Sequence, residues 1–245
     1  MRIAEIFRSI QGEGRWTGTE SVFVRASGCN LRCRWCDTPY ASWTPEGGDF
    51  SIAEIQEKIE ILRVPFPSSP RSPIPNHLSP SLDLVMTGGE PMMFGELVPL
   101  TAELRAAGWR ITIETSGTLY LPVACDLMSI SPKLSNSTPS AACEPHWVER
   151  HEARRHAPET IRRLVSEYDY QMKFVIGRPR DCQEVEQYLA EFPGIDRGRV
   201  FLMPEGVDLH SLESKTAWLE PYCARHGVRF CPRRHVEWFG VERGR

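Results

Sequence analysis

Three cysteines lie close together on one short segment, Gly28-Cys29-Asn30-Leu31-Arg32-Cys33-Arg34-Trp35-Cys36. Thiolates bind zinc ions and iron–sulfur clusters, and both kinds of site are normally closed by four protein ligands. Three thiolates on one loop are therefore one ligand short of a closed site. Their spacing, C-x3-C-x2-C, predicts a metal centre that leaves one position for a further ligand.

A zinc site closed by a distant residue is the alternative explanation, with His77 or His235 as the fourth ligand. We favour an iron–sulfur site because the motifs elsewhere in the chain suit a bound cofactor. Cysteines in a chain with no secretory signal indicate metal or redox use before disulfides. The other five have no ligand spacing and are expected to be small buried hydrophobic residues: Cys125, Cys143, Cys182, Cys223 and Cys231.

The elements that must position these cysteines alternate between strands and helices. The predicted strands cover residues 20–27, 82–87, 109–115, 127–131, 171–176 and 199–203. The predicted helices cover about 52–62, 92–107, 158–168, 180–192 and 209–226, and a last extended segment covers 228–231. This alternation implies right-handed βαβ units and a parallel sheet. Six strands are fewer than the eight of a closed (β/α)8 barrel.

Candidate binding motifs follow four of these strands. The first strand leads into the cysteine loop, and the second ends in Gly88-Gly89-Glu90-Pro91, whose glycines would let the main chain approach a ligand closely. The other two end in Ser131-Pro132-Lys133 and in Met203-Pro204-Glu205-Gly206. Ligands of such sheets bind at the carboxyl ends of the strands. We therefore expect the four motifs to share one rim, although a Gly-Gly pair alone is more often a plain turn.

Composition restricts the function classes. The 245 residues are 41% hydrophobic and carry a net charge of −3, without the basic excess of a nucleic-acid-binding protein. No apolar run approaches the roughly 20 residues of a membrane helix. The first residues of the sequence carry no signal-peptide pattern, so we expect a cytoplasmic protein. Six prolines and five serines in residues 64–81 predict an exposed, mobile connection. The pair Arg233-Arg234 and the basic run 150–155 are expected to form solvated faces.

The three-cysteine loop with Gly88-Gly89-Glu90 resembles the radical S-adenosylmethionine (SAM) enzymes. Within that superfamily, Cys36-Asp37-Thr38 and Gln11-Gly12-Glu13-Gly14 resemble the 7-carboxy-7-deazaguanine synthases. The resemblance covers most of the chain except residues 64–81 and about 137–157. The further segments that carry it are Val24–Leu31, Thr87–Pro91, Ile113–Gly117, Ser131–Lys133, Lys173–Val175 and Leu202–Pro204.

The resemblance implies one radical SAM domain over residues 1–245, an open partial (β/α) barrel of about six parallel strands with an insertion at 64–81. It implies a lyase that converts 6-carboxy-5,6,7,8-tetrahydropterin to 7-carboxy-7-deazaguanine with loss of ammonia, in 7-deazapurine (queuosine-type) biosynthesis. The implied cofactors are a 4Fe–4S cluster, SAM and Mg2+. The implied partners are the pterin substrate, a flavodoxin or ferredoxin reductant and a second copy of the chain in a homodimer, with no contact to tRNA or membrane.

The resemblance also implies a role for individual residues, with no catalytic group beyond the cluster and SAM. Three irons of the cluster would be bound by Cys29, Cys33 and Cys36, SAM would chelate the fourth, and Mg2+ would be bound by Thr38. The implied substrate contacts are Ile10, Gln11, Gly12, Glu13, Arg25, Thr87 and His235. The implied SAM contacts are Gly89, Glu90, Glu114, Ser131, Pro132, Lys133, Met203, Pro204, Glu205 and Gly206.

Simpler explanations remain open for single residues. Thr38 suits a turn, Arg25 a salt bridge, and His235 a solvated surface. The chain end, residues 240–245, departs from that of some members, in which the terminal carboxylate contacts substrate, so whether Arg245 does so stays open. An activating enzyme of a glycyl-radical protein would share the cysteine loop, but Cys36-Asp37-Thr38 and Gln11–Gly14 argue against a protein substrate. A non-catalytic iron–sulfur or zinc module would need a fourth protein ligand and would have no use for Gly88-Gly89-Glu90.

Overall fold

The computed structural model describes residues 1–63, 83–142, 145–240 and 242–244. In these residues nine strands form one sheet in the order β3-β1-β2-β4-β5-β6-β7-β8-β9. The strands are β1 (Arg2–Ile10), β2 (Glu20–Ala26), β3 (Gly48–Asp49), β4 (Asp83–Gly88), β5 (Arg110–Thr115), β6 (Leu127–Ile130), β7 (Tyr170–Ile176), β8 (Val200–Pro204) and β9 (Arg229–Phe230). The insertion at 64–81 falls outside the described residues.

The sheet is parallel from β2 to β9 and antiparallel at the β1–β3 side. Its six longer parallel strands are the six predicted ones, and β9 adds a two-residue seventh. Since β3 and β9 are the two ends of the strand order, the sheet is not closed. The predicted open partial (β/α) barrel is confirmed, with β1 as an added antiparallel strand that was not predicted.

Eight helices accompany the described strands: α1 (Pro39–Ser42), α2 (Ile52–Ile61), α3 (Leu97–Ala106), α4 (Pro145–Arg155), α5 (Pro158–Glu167), α6 (Pro179–Ala190), α7 (Leu209–His226) and α8 (Arg234–Phe239). The helix predicted at 92–107 is instead a 3-10 turn, Pro91–Met93, followed by α3. At α2, Ser51 Oγ accepts from Glu54 N (3.3 Å) while the Glu54 carboxylate accepts from Ser51 N (2.8 Å), which is a capping box. Three of the eight, α1, α4 and α8, were not predicted.

Alternation along the parallel strands separates the protein into a core and a cavity. Successive strand residues point to opposite faces of a sheet. On β7, Met172, Phe174 and Ile176 are buried in the main hydrophobic core, together with helix residues such as Ile161 and Leu189. The intervening positions face the inside of the partial barrel, where polar side chains are gathered. None of the described helices is long and apolar enough to cross a membrane.

Candidate active site

A cavity of about 310 Å³ lies inside the partial barrel. The strand positions that alternate with the core supply its wall, among them Arg25 on β2, Thr87 on β4, Glu114 on β5 and Lys173 on β7. The structure brings to this cavity every predicted site residue except four. Those that do not line it are Glu90, Pro132, Pro204 and Gly206.

The cysteine loop is joined to the end of β4 through backbone contacts. Gly89 N donates to Ala26 O at 3.0 Å and Glu90 N to Gly28 O at 2.8 Å. A Cβ on Gly89 would lie 2.0 Å from Gly28 O, and a Cβ on Gly88 would lie 2.2 Å from Ala26 O. The Gly-Gly pair is therefore required by the close approach of two backbone segments.

The Glu90 side chain acts inside the protein and not in the cavity. It is fully buried, and its carboxylate accepts from Thr115 Oγ1 at 2.8 Å and from Ser116 N at 2.8 Å. It also accepts from Ser116 Oγ at 2.5 Å and from Met92 N at 3.1 Å. These bonds tie the end of β5 to the end of β4, so Glu90 fixes the rim on which the cysteine loop rests.

The three predicted cluster ligands face the cavity as free thiols, Cys33 buried and Cys29 and Cys36 half-buried. Burial raises the pKa of Cys29 to about 12 and that of Cys33 further. Metal binding requires the thiolate form, so these sites need a cationic centre to deprotonate them. In the described part of the chain no three His, Cys, Asp or Glu groups are arranged to hold one metal ion. A 4Fe–4S cluster does not require such an arrangement, because each thiolate ligates a different iron.

Three residues of the loop between β1 and β2, Gln11, Gly12 and Glu13, line the cavity, and residues distant in sequence hold this loop in place. A Cβ on Gly12 would lie 2.6 Å from the His235 backbone nitrogen, and Arg234 N donates to Gly12 O at 3.1 Å. Gln11 Oε1 accepts from Glu13 N at 3.1 Å. The helix α8 thus closes over this segment and brings His235 to the cavity.

Lys173 joins two carboxylates in the cavity wall. Its Nζ donates to Glu13 Oε2 at 2.9 Å and to Glu114 Oε1 at 3.1 Å, and its side chain is only 4% exposed. Burial opposes the charge on Lys173, but Glu114 and Glu13 hold its pKa above the usual value. Burial likewise opposes ionisation of Glu13, but Lys173, His235 and Arg233 hold its pKa well below the usual range. The wall therefore carries fixed charges of both signs.

Arg233 corrects a prediction, because it was expected on a solvated face and is buried. Its guanidinium donates to Asp37 Oδ2, to Gly206 O at 2.6 Å and to Glu13 Oε1 at 3.4 Å. Burial opposes its charge, but Asp37 and Glu13 raise its pKa above the usual value. Its two carboxylate partners lie about two hundred positions away in sequence, and they supply the compensation that a buried arginine requires.

Arg25 is held from one side and faces the cavity with the other. Its Nε donates to Glu5 Oε1 at 2.6 Å, and Tyr40 OH donates to the same oxygen at 2.7 Å. The other guanidinium nitrogens make no hydrogen bond to the described residues. A fork of this kind matches a carboxylate.

Thr38 lies at the N-terminus of α1, where its hydroxyl makes no capping hydrogen bond. Its Oγ1 is 3.8 Å from Cys36 Sγ, so the hydroxyl lies beside the cysteine loop at the cavity. Lys133 Nζ, which lies 5.5 Å from the centre of the Trp35 ring in the cysteine loop, donates to Ser131 Oγ at 2.7 Å. Glu205 accepts from Lys215 Nζ at 2.9 Å.

Sequence reasoning missed three residues that shape the cavity: Glu5, Lys173 and Arg233. Lys173 gave a usable signal, since a lysine inside an apolar strand is costly unless it is paired. Glu5 and Arg233 gave none, because their partners come from other segments of the chain.

Comparison with known proteins finds relatives that carry one name. A 7-carboxy-7-deazaguanine synthase of Rhodopirellula baltica is 40% identical over 99% of this chain and 88% of the relative. Another protein of that name, from Halobacterium salinarum, is 39% identical over 96% of this chain and 88% of the relative. No family model matches the chain.

Two solved structures share the fold. QueE from Escherichia coli superposes with a TM-score of 0.64 and 23% identity, covering 96% of this chain and 94% of that one. SuiB from Streptococcus suis, solved with bound S-adenosylmethionine, superposes with a TM-score of 0.52 and 13% identity, covering 84% of this chain and 48% of that one.

Proposed function

The chain belongs to the 7-carboxy-7-deazaguanine synthase family, and we propose that its cavity converts 6-carboxy-5,6,7,8-tetrahydropterin to 7-carboxy-7-deazaguanine with loss of ammonia. The observation that carries the proposal is one cavity that holds three free thiols together with the Glu13–Lys173–Glu114 wall. The thiols suit a cluster, and the wall suits a ligand with alternating donors and acceptors. The reaction belongs to 7-deazapurine (queuosine-type) biosynthesis and makes the chain a radical SAM lyase.

The segment from Ile10 to Glu13 supplies the groups that would recognise the pterin ring. The ring edge presents N–H donors and ring-nitrogen and carbonyl acceptors, which carboxylate, amide and main-chain groups can match. Glu13 is kept ionised by its cationic neighbours, so it remains an acceptor at pH 7. Thr87 Oγ1 donates to Glu114 Oε2 at 3.0 Å, which fixes the adjoining part of the wall.

Arg25 is the proposed partner of the substrate carboxylate. Glu5 and Tyr40 hold its Nε side, which leaves the remaining donors directed at the cavity. A pre-aligned arginine loses little rotamer freedom on binding, so it can orient the ring as well as attract it.

Cys29, Cys33 and Cys36 would hold the 4Fe–4S cluster, and SAM would lie between it and the wall formed by Gly89, Glu114, Ser131, Lys133, Met203 and Glu205. When bound, the cluster supplies the electron that splits SAM and so starts hydrogen abstraction from the substrate. The chain's own task is to orient the reacting C–H bond and exclude water. Glu90 contributes by fixing the rim. Pro132, Pro204 and Gly206 do not line the cavity, and we propose that they contact SAM through their backbone.

Mg2+ and the partners complete the proposal. A threonine hydroxyl is a weak ligand, but Mg2+ commonly keeps several waters and is completed by substrate oxygens. The Thr38 hydroxyl lies beside the cavity and makes no capping hydrogen bond to α1, which supports that assignment.

We further propose one domain over residues 1–245, a cytoplasmic location, a flavodoxin or ferredoxin reductant and a homodimer.

Anaerobic reconstitution and EPR of the reduced protein, with and without SAM, test the cluster. We expect SAM to change the EPR spectrum of the parent. Cys33→Ala should abolish the cluster signal, and the control Cys182→Ala, at a buried cysteine, should leave the signal intact. A spectrum that does not change when SAM is added would contradict the proposal and favour a non-catalytic iron–sulfur module. Conversion of the carboxytetrahydropterin to a deazaguanine then distinguishes the synthase from an activating enzyme of a glycyl-radical protein.

Thr38→Ala tests the metal assignment in the same turnover assay. We expect the Mg2+ dependence of the rate to be lost and the SAM-induced change in the EPR spectrum to remain, because the hydroxyl contacts the metal and not the cluster. Full activity with unchanged Mg2+ dependence would show that Thr38 is not a magnesium ligand.

A further inference from the structure

The helix α4 (Pro145–Arg155) lies where the chain departs from the resemblance, and it contacts the cysteine loop through His151 and Arg154. The helix is strongly polar, and His151 is its one side chain buried from solvent, which corrects the expectation that the whole basic run 150–155 forms a solvated face. A fully buried imidazole on such a helix must have both ring nitrogens satisfied.

Hydrogen bonds specify the state of the ring. Arg32 N, in the cysteine loop, donates to His151 Nδ1 at 3.2 Å. The Ser137 hydroxyl donates to Leu134 O at 2.6 Å, so at its 2.9 Å contact with His151 Nε2 the hydroxyl oxygen accepts. The ring is therefore neutral, with its proton on Nε2. Burial lowers the pKa of His151 to about 4, which agrees with a neutral ring at pH 7.

Asn136 and Ser137, just before α4 in the chain, hold the part of the cysteine loop that follows Cys33. Arg34 N donates to Ser137 O at 2.9 Å, and Trp35 Nε1 donates to Asn136 O at 3.1 Å. The Arg32 guanidinium also lies over the ring of Trp147, a residue of α4, at 4.1 Å from the ring centre. An irregular loop has no backbone ladder of its own, so such external partners decide its conformation.

We propose that His151 is a positioning residue for the cluster: by accepting the Arg32 N–H it holds Cys33, the most buried of the three thiols, in the orientation that iron binding requires. This inference rests on the proposed function, which supplies the cluster. Residues outside the first coordination sphere that orient ligands commonly change metal retention by 10- to 100-fold.

The test compares iron retention in the reconstituted holoenzyme. His151→Leu keeps the bulk but removes the acceptor, and we expect anaerobic iron loss to a chelator to become about tenfold faster or more. His151→Asn can present its side-chain oxygen where Nδ1 was, so we expect a rate near that of the parent. His156→Leu is the matched control, because that imidazole pairs with Glu191 at 2.9 Å away from the loop.

Amide exchange of the full-length chain without cluster gives a second readout that needs no activity. We expect the Arg32 amide to exchange at least about tenfold faster in His151→Leu, with distant strands unchanged. Parent-like iron loss and exchange in that variant would overturn the proposal. If the leucine variant does not fold, His151→Asn decides: parent-like iron retention supports the proposal and tenfold faster loss overturns it. Failure of the proposed function would instead appear in the parent, as a spectrum indifferent to SAM, with the exchange result unaffected.

Discussion

Replacing Lys173 by methionine would leave two carboxylates in the cavity wall without the ammonium between them. The lysine lies 2.9 Å from Glu13 and 3.1 Å from Glu114 and is almost fully buried. Removing one partner of a buried charge pair costs about 3–5 kcal/mol. Arg233 still faces Glu13 at 3.4 Å, so we expect the lower end, a loss of about 3 kcal/mol in the free energy of unfolding at pH 7.

The pKa shifts of Glu13 and Lys173 determine how this loss of unfolding free energy depends on pH. In the parent, the lowered pKa of Glu13 stabilises the fold above the unfolded value of about 4.3, and this contribution is lost as the pH falls through the folded value. The raised pKa of Lys173 stabilises the fold below about pH 10.4 and is lost as the pH rises through its folded value. Both contributions are therefore complete between about pH 5 and 10.

In Lys173→Met the pKa of Glu13 rises, because its largest favourable partner is gone. Protonation then removes the charge of a carboxylate that Arg233 compensates only in part, so the loss of unfolding free energy relative to the parent should be smaller at pH 5 than at pH 7. Urea unfolding of the cluster-free, reduced chain, followed by circular dichroism at both pH values, measures this difference.

Lys215→Met is the matched control. Lys215 also contacts a carboxylate, Glu205, at 2.9 Å, but the pair is more exposed, and we expect a loss of about 0–1 kcal/mol. A deficit below about 1 kcal/mol for Lys173→Met, or a deficit equal at pH 5 and pH 7, would refute the reasoning from buried charges.

Two further substitutions test the rim and the proposed carboxylate site. Gly89→Ala places a Cβ 2.0 Å from Gly28 O and should lower the free energy of unfolding by about 1–3 kcal/mol. Gly95→Ala, with open space around it, is the control and should change that free energy by less than about 1 kcal/mol. Equal melting curves for the two variants would contradict the close approach. Arg25→Lys loses the fork that Glu5 aligns and should raise KM for the carboxypterin about 10- to 100-fold at similar kcat, and an unchanged KM would remove Arg25 from the substrate site.

The sheet could be predicted from sequence because its strands carry a local signal. Runs such as Leu84–Met86 and Phe174–Ile176 are continuously apolar, as parallel strands buried on both faces are, and helices with clear apolar faces separate them. The predicted bounds of α7, 209–226, are those observed, with Asp208 capping its start and Gly227 in a left-handed conformation at its end.

Non-local pairing explains what the sequence could not predict. Arg233 reads as a surface residue until Glu13 and Asp37 are brought beside it from the other end of the chain. The helix α4 has no apolar stripe, because it buries a single imidazole against a loop more than a hundred positions earlier. Neither arrangement leaves a periodic pattern that could be recognised in sequence.

The two ends of the sheet have a consequence for solubility. An open sheet exposes unpaired N–H and C=O groups at its edges, and these can template pairing with other chains. Here the outermost described strands, β3 and β9, are two residues each, and they carry Asp49 and Arg229. β3 pairs with only two residues of β1, Arg2 and Ile3, so most of the outer edge of β1 has no strand partner among the described residues and is where an incoming strand would pair.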